Sequence, residues 1–312
     1  MMETVIQIEN LCKSFGDNHV LNNISLSIPK GSVFGLLGPN GAGKTTTMRI
    51  MSCLIEPTSG EITILGKKIS TNKDDIRRLI GCVTESPGIY DKLSVWDNLD
   101  FIAACHDIPE PKRSARIEEL LRQFDLWEKR DAHASSLSKG MKQKVSIISA
   151  LLHDPDVLFF DEVTANLDPV SIRKLKDMIR NWAANGKTII FCSHVLSEID
   201  ELCNEFAIIR KHVISLTTPQ QFREEWSVYN VELELASHHD QAERILAQMP
   251  EVLSHQRVDN RFQIKIDNPD TSNQLLLKQL VSADIPVTYI EKLSVSLEDS
   301  YLSLLQKVQE GK

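Results

Sequence analysis

Residues 38–45, Gly-Pro-Asn-Gly-Ala-Gly-Lys-Thr, match G-x-x-x-x-G-K-[ST], and this stretch restricts the possible folds more than any other in the chain. An apolar run at 32–37 leads into it and a helical pattern at 46–55 leaves it, the strand–loop–helix context that gives the motif physical meaning. Glycines let successive backbone N–H groups turn inward to form a nest for phosphate oxygens. The helix that follows contributes the positive end of its dipole. Gly38, Pro39, Asn40, Gly41, Ala42, Gly43, Lys44, Thr45 and Thr46 are therefore expected to cradle a nucleotide phosphate chain. Lys44 would reach the β- and γ-phosphates, a catalytic role, and the Thr45 hydroxyl would ligate Mg²⁺. A chance glycine turn would reproduce the pattern in about one chain of this length per hundred.

A second chemical feature is the apolar run 157–160, Val-Leu-Phe-Phe, which ends in Asp161-Glu162. Acids at the carboxyl edge of a parallel sheet face the place where ligands collect. Asp161 can hold Mg²⁺ directly or through water, and Glu162 can act as general base toward an attacking water. Alone, this pair could equally be a capped strand end; beside a phosphate loop it reads as catalytic.

The surrounding pattern predicts the architecture. Strand-like runs at 5–8, 20–28, 32–37, 60–65, 157–160, 188–192 and 206–209 alternate with helical segments, which predicts an α/β core built on a mostly parallel sheet, with an antiparallel β subdomain. Between about 86 and 154 the pattern is almost wholly helical, with Ile117, Leu120, Leu121 and Phe124 on one helix face. This stretch reads as an inserted helical subdomain, and another helix is expected over 145–152. After Pro219 the order becomes strand 228–235, helix 241–248, strands 252–257 and 261–266 joined at Asp259-Asn260, helix 275–281 and strand 287–290. That β-α-β-β-α-β order predicts a small ferredoxin-like α+β domain, closed by a helix over 297–308. The expected domains are 1–218 and 220–312.

Further motifs lie between and after these. Ser136-Leu137-Ser138-Lys139-Gly140-Met141-Lys142-Gln143 precedes a helical run, and the order continues with Ala165-Asn166-Leu167-Asp168 and with His194 after the run 188–192. With these in place the chain, over about residues 6–218, resembles the nucleotide-binding subunits of ABC transporters. Residues 137–141 are similar to that family's L-S-G-G-Q signature, residues 165–168 to its D-loop, and His194 to its switch histidine. Phe15 matches the aromatic that stacks on adenine.

The resemblance implies an ATPase in which two such domains close head to tail on ATP and Mg²⁺, Ser138, Lys139 and Gly140 of one copy meeting the phosphate loop of the other. It adds Asp168 to the nucleotide-binding set and His194 to the catalytic one. It also puts Glu85 at the position of a glutamine that touches the metal. The chain departs from the family pattern at Lys139, Met141, Glu85 and Ala165-Asn166. A glutamate at 85 accepts hydrogen bonds but cannot donate an amide proton. The C-terminal extension, with Leu297-Glu298-Asp299-Ser300-Tyr301, resembles the subgroup that serves exporters of drugs, antibiotics or ions. A separate integral membrane permease is the implied partner. It would touch residues 87–98, where Tyr90 and Trp96 are candidate anchors. The alternative is an ABC ATPase acting on ribosomes or DNA. One set of motifs and no sustained heptads weigh against it.

Composition narrows the field further. With 43 acidic and 35 basic residues and a net charge of −8, the chain lacks the basic surplus of a nucleic-acid binder. Its six cysteines are scattered and form no C-x-x-C pair, so neither a zinc site nor a redox dithiol is expected. The first residues lack the charge pattern of a signal peptide, and no apolar run reaches the roughly 18–20 residues of a membrane span. The expected location is the cytoplasmic face of a membrane, reached through the partner.

Overall fold

The computed structural model describes residues 3–84, 86, 88–293 and 296–309. The chain separates into two compact units, the boundary falling between Thr218 and Pro219.

In the first unit, β1 (Thr4–Phe15) and β2 (Asn18–Pro29) form a long antiparallel pair. β3 (Val33–Leu37) precedes α1 (Lys44–Met51). Then come β4 (Ser59–Ile64), the short β5 (Lys67–Lys68), α2 (Lys73–Leu79) and β6 (Ile80–Val83). The helical region holds α3 (Val95–Cys105), α4 (Glu110–Gln123) and α5 (Lys139–Leu151). The chain returns through β7 (Val157–Asp161), α6 (Pro169–Ala184), β8 (Thr188–Cys192), α7 (Leu196–Leu202), β9 (Glu205–Arg210) and β10 (His212–Thr217).

Among the described residues two sheets serve this unit. One is antiparallel, in the order β2-β1-β4-β5. The other has the order β10-β9-β3-β8-β7-β6, parallel except where β10 runs against β9. All residues of β3, β7 and β8 are buried, which is why these strands are written in continuous apolar residues instead of an alternating pattern. β2 does alternate, burying Leu21, Ile24, Leu26 and Ile28. A single apolar cluster joins the two sheets, with Phe34, Phe159 and Ile190 packed against residues such as Ile8, Leu26 and Ile62. Each fully buried phenylalanine contributes about 1.5–3 kcal/mol relative to exposure.

The register of the central strands positions the site. Leu36 pairs with Cys192, and Cys192 pairs with Asp161. The carboxyl ends of β3, β8 and β7 therefore emerge side by side at one edge.

The second unit begins with α8 (Pro219–Trp226) and continues with β11 (Val231–Leu235), α9 (His239–Gln248), β12 (Val252–Val258) and β13 (Arg261–Ile266). It ends with α10 (Pro269–Ser282), β14 (Val287–Lys292) and α11 (Leu297–Gln309). Its antiparallel sheet has the order β12-β13-β11-β14, the order expected of β-α-β-β-α-β connectivity. Its own core contains Leu233, Leu246, Phe262, Ile264, Leu276 and Leu280. No helix among the described residues is long and apolar enough to cross a membrane.

Several predicted boundaries move. Instead of 46–55, the helix after the phosphate loop runs from Lys44 to Met51. Gly43 in the left-handed region starts it, and Cys53 at φ +58° turns the chain away. The helix expected at 145–152 begins at Lys139, because Ser138 Oγ accepts the Met141 N–H at 3.2 Å and caps it. The strand expected at 5–8 extends to Phe15 through a bulge near Asn10, which has φ +50°. β6 and β10 were not anticipated; both lie at the margins of the parallel sheet.

In the helical region His106 and His153 stack, their ring centroids 3.8 Å apart and the planes 5° from parallel. Burial, and then the neighbouring His106, push His153 down to about 4. The His106 ring is also lowered, mainly by burial. An unfolded histidine titrates near 6.5, so the unfolded chain binds more protons between pH 6.5 and 4. The contribution of this pair to stability is then complete above pH 6.5 and is lost as pH falls toward 4. Thermal melts taken from pH 7.5 to 4.5 should show a falling midpoint, and His153→Gln should flatten the fall between pH 6.5 and 5.

Candidate functional site

The phosphate loop leaves β3 and closes on the N-terminus of α1. Gly43 is the N-cap residue with φ +101°, and a Cβ there would lie 2.3 Å from Leu21 Cδ2. Only glycine meets both demands, one of backbone conformation and one of space. Lys44 is 8% exposed. Its ammonium donates to the Gly38 carbonyl at 2.6 Å and the Pro39 carbonyl at 3.2 Å. The Ala42 N–H also donates to the Pro39 carbonyl, at 3.1 Å, tightening the turn around that ammonium. A nearly buried cation on the floor of an open cleft, beside the N-terminus of a helix, suits a polyanion. Thr45 and Thr46 follow in the first turn and line the same cleft.

That cleft has a volume of about 830 Å³ and is lined by Asn40 to Thr46, by Glu162 and His194, and by Asn18 and Val20 of β2. Glu162 follows β7 with φ +51°, a conformation that costs a residue bearing a Cβ about 1–2 kcal/mol. Its N–H donates to the Cys192 carbonyl at 3.0 Å, locking the turn to the end of β8. Glu162 Oε2 lies 2.7 Å from His194 Nδ1, close enough to accept a proton carried there. The His194 side chain is 65% exposed and that of Glu162 only 19%. The pair sits between the sheet edge and the cleft.

Asp161, the last residue of β7, is 5% exposed. Cys192 pairs with it across the sheet, and burial followed by that carboxylate pushes the thiol well up from its ordinary value. This cysteine packs and does not react. Glu85, expected at the metal, lies outside the described residues. Among the described residues no cluster of three or more histidine, cysteine or acidic side chains forms a metal cage. A hydroxyl, a buried carboxylate and phosphate oxygens nevertheless suit Mg²⁺, which keeps waters and takes only one or two protein ligands.

The structure does not bring every expected residue into the cleft. Phe15 is 53% exposed at the end of β1, with Lys13 Nζ 4.7 Å from its ring centroid. It pairs across the strands with Asn18, which does line the cleft. Ser138 and Lys139 are exposed at the start of α5, away from the cleft of their own chain. Gly140 packs so closely that a Cβ would sit 2.7 Å from the Asn166 carbonyl, so the signature segment and the 165–168 segment abut.

Asp168 caps α6 through Oδ1, which accepts the Val170 and Ser171 N–H groups at 3.1 and 3.0 Å. The Ser171 hydroxyl also donates to its other oxygen, and these hydrogen bonds hold the carboxyl below its usual range. Its visible work is therefore structural. Asn18 and Val20 were missed because nothing in a β-strand pattern marks a residue as lining a cleft.

Comparison with known proteins agrees with this geometry. A family model described as "ABC transporter" matches residues 21–165. The chain is 30% identical over 306 residues to the uncharacterized ABC transporter ATP-binding protein YcbN of Bacillus subtilis (strain 168), spanning 97% of this chain and 98% of that one. It is 38% identical over 211 residues to the bacitracin transport ATP-binding protein BcrA of Bacillus licheniformis, spanning 67% and 68%. A solved ATP-binding subunit of an ABC transporter superposes with TM-score 0.68 at 29% identity, over 72% of this chain and 94% of the other.

Replacing Gly43 tests the cradle. Gly43→Ala should cost about 1–3 kcal/mol of stability in denaturant unfolding. It should also weaken Mg-ATP binding at least about tenfold by calorimetry, because the first turn of α1 must shift away from the phosphates.

Proposed function

Since the chain belongs to the family of ABC transporter ATP-binding proteins, we propose that residues 1–218 form its nucleotide-binding domain, that Glu162 is the general base, and that ATP-driven pairing of two copies powers export through a separate membrane permease. The observation that carries this reading is the shared cleft, in which Lys44, Glu162 and His194 face one space at the ends of adjacent strands.

Lys44 and backbone N–H groups of the loop from Gly38 to Thr46, to which Pro39 adds none, bind the phosphate chain, and Phe15 supplies a face for the adenine. Thr45, Asp161 and Glu85 would hold Mg²⁺, which when bound offsets charge on the β- and γ-phosphates. Glu162 accepts a proton from the attacking water. The new bond forms between that water oxygen and the γ-phosphorus while the bond to the β–γ bridging oxygen breaks, leaving ADP and phosphate. His194, 2.7 Å from Glu162, keeps the carboxylate turned toward the water.

Ser138, Lys139 and Gly140 act on the phosphates of the opposite copy. Their exposure at the N-terminus of α5 supports this role, since a helix start whose capping hydroxyl, while accepting the Met141 N–H, can still donate its own proton suits an anion. Asp168, with its carboxylate bound to its own helix, contributes by holding the 165–168 turn against the opposite nucleotide. Closure requires the γ-phosphate to bridge both half-sites, so ATP favours the paired state and hydrolysis releases it.

For the membrane partner, Tyr90 and Phe101 form an exposed edge-to-face pair with centroids 5.5 Å apart. Exposed paired aromatics are suited to receive an apolar helix. Trp96 is half-buried against Trp127 and serves the fold of this region. Pro87, at the start of the proposed contact, lies outside the described residues. The chain would thereby be held at the cytoplasmic face. Residues 220–312 serve as an accessory domain without chemistry of their own. Relatives named for bacitracin and lantibiotic transport favour export over a role on ribosomes or DNA.

Glu162→Gln should abolish steady-state ATP hydrolysis while leaving ATP affinity within about twofold. The same variant should run as a dimer with ATP in size-exclusion chromatography with light scattering. Turnover like wild type in this variant would refute the general-base assignment.

A further inference from the structure

Burying a carboxylate is expensive unless it is hydrogen-bonded, so the partners of a buried glutamate indicate its purpose. Glu198, in the first turn of α7, is 6% exposed. Its Oε2 accepts the Ser193 hydroxyl at 2.7 Å and the Thr164 hydroxyl at 3.1 Å. Ser193 is fully buried and Thr164 is 6% exposed. The two hydroxyls belong to different loops: Thr164 follows Glu162 on the exit from β7, and Ser193 immediately precedes His194 on the exit from β8. Ser193 Oγ also accepts the Val195 N–H at 3.0 Å, so both chain neighbours of His194 are tied into the same set of bonds.

We infer that Glu198 is a positioning residue for ATP hydrolysis, one carboxylate oxygen that fixes the loop carrying Glu162 against the loop carrying His194. This rests on the roles proposed above for those two residues. Glu198 does not line the cleft, and neither do Thr164 and Ser193, so the clamp acts on hydrolysis and not on ATP binding. Its side-chain ties span 34 and 5 residues, joining two loops that also meet through the bond from the Glu162 N–H to the Cys192 carbonyl and through the contact of Glu162 with His194. Without the acceptor, two buried hydroxyls must seek new partners, and the loops they sit on relax. A displacement of about 1 Å at a reacting group costs on the order of 10²-fold in rate.

The test measures kcat and KM for ATP separately on the full chain, with nucleotide affinity and thermal melting alongside. Glu198→Ala should lower kcat at least about tenfold while KM stays within about twofold. Glu198→Gln, whose amide oxygen can accept both hydroxyls, should return kcat to within about threefold of wild type. Thr164→Val, which removes one hydroxyl at nearly constant shape, should fall between them.

Wild-type kcat in a folded Glu198→Ala protein would overturn the inference. So would equal losses in the Ala and Gln variants, or a rise in KM that parallels the fall in kcat. If Glu198→Ala does not fold, Thr164→Val and Ser193→Ala decide by the same kcat criterion. Wild-type turnover in Glu162→Gln would instead sink the base assignment, whatever Glu198→Ala does.

Discussion

Parallel pairing of β3, β8 and β7 brings three strand ends to one edge, and the register Leu36–Cys192–Asp161 is what the site is built on. In a strand, side chains alternate between faces, so a slip of one residue in β7 would send Asp161 to the opposite face and carry Glu162 with it. Such a slip is opposed by burial. Phe159 and Phe160 of β7 are both fully buried, and each would have to exchange its packing for that of its neighbour. The apolar strands thus do more than supply a core; they hold charged groups at the edge in step with one another.

At that edge the chain adopts conformations that short segments would avoid. Gly43 and Glu162 both have positive φ, and Lys44 is nearly buried with carbonyl oxygens as its hydrogen-bond partners. These local costs are met by the sheet beneath them and by bonds between loops, from the Glu162 N–H to the Cys192 carbonyl and from Thr164 and Ser193 to Glu198. Strain concentrated beside a cleft is typical of sites in which groups must be placed before substrate arrives. On the reading proposed above, polar groups buried just behind the site serve this placement, whereas those lining it would meet the nucleotide.

The second unit follows different physics. Its sheet is antiparallel, with helices α9 and α10 packed into one apolar cluster, so β11 alternates buried and half-buried residues where β3 does not. The charged side chains on its sheet pair with each other, as Arg261 does with Glu232 and Glu234. With the Arg261 side chain 52% exposed, water screens these pairs and they contribute little to stability. The unit is held together by its core.

Local pattern and residue chemistry were enough to mark the phosphate loop, the Asp161-Glu162 pair, the alternation of apolar strands with helices, and the β-α-β-β-α-β order of the last ninety or so residues. These depend on covalent neighbours and on periods of 2 or 3.6 residues, which are written along the chain itself. Helix ends were less legible, because Ser138 and Gly43 act through caps that apolar periodicity does not register. Only the tertiary structure decided that His194 meets Glu162, that Asp168 caps its own helix, that Gly140 abuts Asn166, and that Glu198 joins two loops. Contacts between residues 32 or 34 positions apart depend on which strands lie side by side and in what register, and that order is settled by burial across the whole sheet and not by any stretch of sequence read alone.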